Sequence, residues 1–188
     1  IHLRVASAFS MKYGTTQPAD LVEQAREYAM PALALTDRAT LSGAIRFAKA
    51  CVANGVAPII GINLPIDLGL DRKPSGKKAV EQRVTVLAHG DGGWAHLVRF
   101  LTGLHINNGG GDTRITMELL EKFSAHTTSL HILHGPQSPL SYELAAHRPE
   151  RALELFNRTR EFFADHAIEC VSHLIAGNGP GSTRSEEH

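Results

Sequence analysis

Short apolar runs alternate along the chain with segments in which apolar residues recur every three or four positions. Runs of the first kind are typical of buried strands, and they cover residues 2–6, 32–36, 57–62, 84–88, 130–133 and 168–174. Segments of the second kind predict helices, with stripes at Leu21, Ala25, Tyr28; Leu41, Ile45, Ala48, Val52; Trp94, Leu97, Val98, Leu101, Leu104; and Leu153, Phe156, Arg160, Phe163. Strand and helix in alternation predict an α/β fold with a parallel sheet and crossover helices. We expect the stripe from Trp94 to Leu101 to lie in the core.

Helix-breaking residues fall between these segments. Gln17-Pro18 predicts the start of the first helix, and Asn54-Gly55 predicts the end of the second. Residues 67–78 and 107–112 are rich in glycine and polar residues and predict solvated loops. We find neither a repeat nor a linker, so residues 1–188 are interpreted as one domain. The chain begins in a strand-like run without Met, and we expect it to be part of a longer chain.

Composition narrows the class of protein. Hydrophobic residues make up 43% of the chain, and 19 basic residues balance 19 acidic ones, so net charge does not indicate a nucleic-acid or membrane surface. Cys51 and Cys170 lack Cys-x-x-Cys spacing, and we expect both to be buried apolar residues in a reducing compartment. No apolar run reaches the roughly 20 residues that span a bilayer, and no signal peptide is visible. These features predict a cytoplasmic protein.

Polar residues that could carry chemistry follow the predicted strands. In α/β folds such residues collect at the carboxyl edge of the sheet. Thr36-Asp37-Arg38 ends the second strand, Arg4 and Ala6 lie on and after the first, and Asn63 follows the third. We therefore expect these residues to share one rim.

The order of motifs along the chain is specific. It runs HLRVAS (2–7), FSMKYG (9–14), PALALTD (31–37), FAKAC (47–51), PIIG (58–61) and VTVLA (84–88). This order resembles the N-terminal PHP (polymerase and histidinol phosphatase) domain of bacterial DNA polymerase III alpha subunits and their error-prone homologues. The resemblance implies a distorted (β/α)7 barrel, incomplete at its C-terminus, at the N-terminal end of a nucleotidyltransferase that acts in DNA replication or in translesion synthesis and repair.

Active members of this family hold a divalent metal cluster at the rim. Its donors are a His-x-His, an acidic residue before a glycine, the His of Thr-Asp-His, a Glu, a further His, a Cys and a final Asp-x-His. Carried over motif by motif, these positions fall here on Arg4 and Ala6, Tyr13, Arg38, Asn63, Arg83 and Pro136, and the final Asp-x-His falls beyond residue 188. His2 and Asp37 are retained as neighbours of ligand positions.

The substituted rim predicts a domain without metal, cofactor or catalytic residues, because a guanidinium stays protonated and offers no free lone pair. Two hypotheses remain for Arg4, Arg38 and Arg83. In the first, which we favour, they pair internally, with Asp37 for example, or are merely tolerated on a solvated edge. In the second, they bind an anion such as phosphate.

Other motifs carry weaker signals. His131 and His134 lie three apart on a strand and therefore face opposite sides, which favours hydrogen-bonded or surface histidines over a metal site. Ser7 and Ser10 near His2 lack a third orienting group, so a hydrolase triad is not predicted.

The sequence thus favours a degenerate, non-catalytic PHP domain with a structural and partner-docking role in a polymerase III alpha-like chain. The expected partners are the rest of that chain and replication or repair proteins, such as the proofreading exonuclease subunit implied by the resemblance. DNA would be bound through the parent chain, and no membrane partner is expected. The alternative is a free-standing, metal-dependent phosphoesterase of the same family. A reading frame that continues into a polymerase after His188 would favour the first hypothesis.

Overall fold

The computed structural model describes residues 1–69, 81–107, 113–123, 127, 129–163 and 165–170. Within these residues strands and helices alternate for much of the chain. The helices are α1 (Pro18–Glu27), α2 (Ala44–Asn54), α3 (Gly93–Asn107), α4 (Met117–Lys122), α5 (Pro139–Ala145) and α6 (Pro149–Arg160). The strands are β1 (Ala32–Arg38), β2 (Ala57–Asp67), β3 (Arg83–Ala88), β4 (Ile115–Thr116), β5 (Leu130–His134) and β6 (Asp165–Ile168). The predicted α/β class is confirmed.

The sheet is mostly but not wholly parallel. Its strands lie in the order β1-β2-β3-β5-β6, and β4 pairs with the end of β2. The β1–β2 and β5–β6 pairs are parallel, whereas β3 is antiparallel to both of its neighbours. The prediction of a fully parallel sheet was therefore wrong at β3. The sequence between β2 and β3 contains no helical stripe, so it lacks the crossover helix that usually joins two parallel neighbours.

Two predicted strands differ from the structure. Residues 2–6 run beside β1 through a single bridge, His2 to Leu33, and through a hydrogen bond from the Thr36 amide to the Val5 carbonyl at 2.8 Å. The last strand, β6, ends at Ile168, where the prediction placed its start, and residues 171–174 lie outside the described residues. The predicted loops at 70–78 and 108–112 also lie outside them. The two-residue strand β4 was not predicted.

The two edges of the sheet meet. Arg4 lies beside β1, and its Nε is 2.8 Å from Oε2 of Glu169, which follows β6 at the other edge. The Glu169 amide donates to the His134 carbonyl at 2.9 Å, and a Cβ at Gly135 would come within 2.5 Å of the Glu169 carboxylate. The sheet therefore curls as a barrel does, with six strands among the described residues.

The buried helix faces differ from the predicted stripes. On α2 the buried residues are Ala44, Phe47 and Cys51, whereas Ile45 and Val52 are 55% and 76% exposed. Phe47 and Cys51 pack in one cluster with Leu33 and Leu35 of β1, so contact with the sheet sets the buried face of this helix.

The core prediction for α3 was partly right. Leu97 and Leu101 are buried together with Phe100 and Leu104, but Trp94 is 40% exposed. Cys51 is buried as expected, and burial raises the pKa of its thiol to about 11. Cys170 is exposed, which contradicts the prediction for that residue. In the described part of the chain, every helix is too short or too polar to cross a membrane.

Candidate functional site

The predicted rim residues surround one cleft of about 450 Å³. The N-terminal segment, β1, β2 and the turn after β5 all contribute to its walls. Its lining is Arg4, Val5, Ala6, Tyr13, Gly14, Thr15, Thr36, Arg38, Asn63 and Gln137. Arg83 borders the cleft through its contacts with Asn63. Since β3 is reversed, Arg83 reaches this rim from the first residue of its strand. The structure thus brings six of the predicted positions together at one rim, whereas Pro136 is not among the lining residues and its neighbour Gln137 is.

Asp37 is a buried structural carboxylate. Its Oδ1 accepts hydrogen bonds from the Ser7 amide at 2.6 Å and the Ser10 hydroxyl at 2.6 Å, and its Oδ2 accepts from the Ser7 hydroxyl at 2.8 Å. The Ser10 hydroxyl in turn accepts from the Arg38 amide at 2.9 Å. These bonds fasten the loop of residues 7–14 to the end of β1. The predicted pairing of a rim arginine with Asp37 is not among the ion pairs of the described residues.

The loop that holds Tyr13 depends on a close approach of backbone. A Cβ at Gly14 would lie 1.9 Å from the Ser7 carbonyl oxygen. Only glycine fits there. Sequence reasoning considered Ser7 and Ser10 only as nucleophile candidates and missed their role as donors to Asp37. Their spacing from the Thr-Asp motif gave no signal for it.

Arg83 and Asn63 form a fixed polar pair. Arg83 is 7% exposed, and it donates from Nε to Asn63 Oδ1 at 2.6 Å and from Nη2 to the Asn63 carbonyl at 2.9 Å. Its Nη1 contacts the carboxylate of Glu81. Burial lowers the pKa of Arg83, and the charge of Arg38 lowers it further, while Glu81 opposes both. Asn63 also donates to Thr85 Oγ1 at 3.2 Å.

Arg38 differs from the other two rim arginines. Its guanidinium carbon lies 3.5 Å from the centre of the Tyr13 ring, which is a cation–π contact. Its Nε is buried and, like Nε of Arg4, makes no hydrogen bond of good geometry among the described residues, so the difference from Arg4 and Arg83 lies in the ion pairs. Within that part of the chain, no carboxylate lies at ion-pair distance from it.

The rim does not fit a divalent metal. Arg4, Arg38 and Arg83 carry positive charge and offer no lone pair, Ala6 has no donor atom, and Asn63 is already engaged with Arg83. Over the described ranges, no three or more His, Cys, Asp or Glu side chains are grouped closely enough to hold an ion. His2 is exposed and touches β1 through its backbone.

A histidine cluster lies on β5 and β6. His134 is 1% exposed, its Nε2 is 3.4 Å from Nδ1 of His166, and the two rings stack. Burial and, to a smaller extent, the neighbouring His166 together lower the pKa of His134 from 6.5 to about 4. His131 instead contacts His89, with ring centres 4.2 Å apart. His131 and His134 therefore have different neighbours, as their spacing predicted.

The family model of the PHP domain matches residues 2–173, and the chain belongs to this family. The match is consistent with the motif order in the first half of the sequence. It covers nearly all of the chain.

Curated relatives are longer proteins. The chain is 28% identical to the DNA polymerase III subunit alpha of Aquifex aeolicus, with 96% of this chain and 16% of that protein covered. It is 35% identical to the error-prone DNA polymerase of Mycolicibacterium paratuberculosis, with 71% of this chain and 12% of that protein covered. For the error-prone DNA polymerase of Symbiobacterium thermophilum, identity is 37% and the shares are 56% and 9%. The chain thus spans less than a fifth of the length of these relatives.

A solved structure also aligns with the chain. It is a putative metal-dependent phosphoesterase from Bifidobacterium adolescentis, at 13% identity and a TM-score of 0.45, with 96% of this chain and 88% of that chain covered.

Proposed function

We propose that this PHP domain is non-catalytic and serves as a structural module of a DNA polymerase III alpha-like chain. One observation carries the proposal. At the positions where the family resemblance places metal ligands, this protein has arginines, and two of them are fixed by partners from other parts of the fold.

The substituted residues link elements that a metal cluster would otherwise link. Arg4 joins the two edges of the sheet through Glu169, and Arg83 joins β3 to β2 through Asn63. An ion pair, as at Arg4, or a charged hydrogen bond, as at Arg83, restrains its partners inside a fold, and removing one partner leaves the other largely buried and unpaired. The rim therefore supports the fold and offers no Lewis acid or activated water for hydrolysis.

The curated relatives support a place in a longer polymerase chain. Nucleotidyl transfer would then belong to the remainder of that chain, and this domain would stabilise it and provide a surface for replication or repair proteins. Extending the coding sequence beyond residue 188 tests this directly. A polymerase module downstream is expected, and a stop codon soon after residue 188 would contradict the proposal.

A phosphatase assay tests the loss of catalysis. The chain is incubated with p-nitrophenyl phosphate and Mg²⁺, Mn²⁺ or Zn²⁺ in turn, and we expect no hydrolysis above the metal-only background. The comparison variant carries Arg4→His, Ala6→His, Arg38→His and Asn63→Glu, which restores four family donors. Metal-dependent hydrolysis by the unaltered chain, abolished by a chelator, would overturn the proposal in favour of a phosphoesterase.

A further inference from the structure

We propose that the rim cleft binds a phosphate group without a metal, and that Arg38 is the residue that binds it. This inference rests on the proposed loss of the metal cluster. Of the three arginines considered for anion binding, it assigns the role to Arg38 alone.

Charge compensation separates Arg38 from the other two arginines. Arg4 is paired with Glu169 and Arg83 with Glu81. Asp37 is the nearest carboxylate in sequence, and all three of its hydrogen bonds come from Ser7 and Ser10. Among the described residues Arg38 therefore carries the cleft's uncompensated positive charge.

The Arg38 side chain lines the cleft, where its terminal Nη groups can reach a ligand although its Nε is enclosed by the protein. Its Nε is buried without an acceptor in the described part of the chain, and a buried donor left unpaired is unfavourable. Stacking on Tyr13 fixes the plane of the guanidinium, while the N–H groups at its edge stay available for hydrogen bonds. A planar fork of donors held in this way matches two oxygens of a phosphate group.

The walls of the cleft suit an anion. No carboxylate is among the described residues that line it, so an anion entering the cleft meets no lining charge of its own sign. Thr15 and Gln137 add neutral polar groups, and Arg4 adds a second guanidinium, which is shared with Glu169. A volume of about 450 Å³ accommodates inorganic phosphate or the phosphate of a small monoester.

Binding is measured by calorimetry in a chelating buffer at low ionic strength. The probes are inorganic phosphate, deoxyadenosine 5′-monophosphate and deoxyadenosine. We expect saturable binding of a phosphate-containing probe and none of the nucleoside. Binding of inorganic phosphate indicates free phosphate as the ligand, and binding of the monophosphate indicates a phosphate monoester. Equal binding of the nucleoside and the monophosphate would overturn the inference.

Two arginine variants locate the site. Arg38→Gln is expected to weaken phosphate binding about tenfold or more, which is the effect of one lost charge-assisted contact. Arg46→Gln is the matched control, because Arg46 is exposed and also lies over an aromatic ring, that of Phe9, at 5.7 Å. Unchanged binding in Arg38→Gln, or an equal loss in Arg46→Gln, would contradict the assignment.

Two further measurements separate loss of binding from misfolding of the variant and from a requirement for metal. If Arg38→Gln does not fold, Thr15→Val removes an exposed lining hydroxyl instead, and it is expected to weaken binding and reduce the rise in Tm that phosphate gives the unaltered chain. Binding unchanged by Thr15→Val would then count against the inference. Absence of binding with and without Mn²⁺ would refute this inference alone, whereas binding only with Mn²⁺ would refute the proposed loss of the metal site.

Discussion

Ser7 and Asp37 are joined twice, through the Ser7 amide at 2.6 Å and the Ser7 hydroxyl at 2.8 Å. The Asp37 carboxylate also accepts from Ser10, so its oxygens are occupied by the protein itself. The aspartate of the Thr-Asp motif thus connects the 7–14 loop to β1 through hydrogen bonds. These bonds hold the loop that carries Tyr13 at the rim.

Replacing Asp37 tests this role. Asp37→Asn places an amide NH₂ where a carboxylate oxygen accepts a hydrogen bond, and we expect a loss of about 2 to 3 kcal/mol in the free energy of unfolding. Asp91→Asn, in an exposed turn, is the control for loss of the charge. Urea denaturation measures both variants. An equal effect of the two substitutions would show that Asp37 does not fasten the loop.

The contacts of Arg83 with Asn63 predict that a positive charge alone at position 83 does not maintain the stability of the fold. Arg83→Lys keeps the charge but cannot serve Asn63 Oδ1, the Asn63 carbonyl and Glu81 together, so we expect about 2 kcal/mol of destabilisation. Arg26→Lys is the exposed control. If thermal unfolding of Arg83→Lys matches that of Arg26→Lys, the geometry of the guanidinium is unimportant.

The contact between the sheet edges predicts an energetic coupling. A double-mutant cycle with Arg4→Ala and Glu169→Gln should give about 1 kcal/mol, because both side chains are mostly buried, 27% and 21% exposed. The exposed pair Arg26 and Glu23, at 3.9 Å, is the matched control and should give less. Equal coupling energies in the two cycles would mean that the ion pair does not hold the edges together.

Burial of His134 predicts a loss of stability in acid. Its pKa is lowered from 6.5 to about 4 in the folded protein, so between these values the unfolded chain binds a proton that the folded chain does not. Stability from this residue is therefore present above the unfolded pKa and decreases as the pH falls towards the folded one. From about pH 7 to about pH 5 the expected loss is roughly 2 kcal/mol.

Denaturation of a His134→Gln variant isolates this effect. The variant is expected to lose less stability than the unaltered chain over the same pH interval, and His2→Gln at the surface controls for removal of an imidazole. An identical pH dependence in His134→Gln and the unaltered chain would show that His134 does not contribute.

Much of the fold was predictable because its signals are local. Apolar runs located β1, β2, β3 and β5 to within a few residues, except that β2 extends beyond its predicted end. Helix-breaking residues located the start of α1 and the end of α2. The direction of β3 and the buried face of α2 were not predictable in the same way. Both depend on which surface the element meets in the folded chain, and Ile45 and Val52 are exposed because Phe47 and Cys51 face β1.

The candidate site was predictable in its members but not in its contacts. Motif order placed Arg4, Arg38 and Asn63 at one rim, and the structure places all three on one cleft. The partner of Arg4, Glu169, lies 165 positions further along the chain, at the other edge of the sheet. Sequence spacing contains no signal for such a pair. Only the folded structure shows that the charge of Arg4 is paired with a carboxylate and that, among the described residues, the charge of Arg38 is not.

The metal content of the purified chain shows whether the rim can still hold a divalent ion. The unaltered chain is incubated with excess Zn²⁺ or Mn²⁺, freed of unbound ion by gel filtration, and analysed by inductively coupled plasma mass spectrometry, with the four-donor variant alongside. Because the rim holds guanidinium groups at the ligand positions, we expect no stoichiometric metal in the unaltered chain. One or more ions per chain, lost when Asn63 is replaced by Ala, would contradict it.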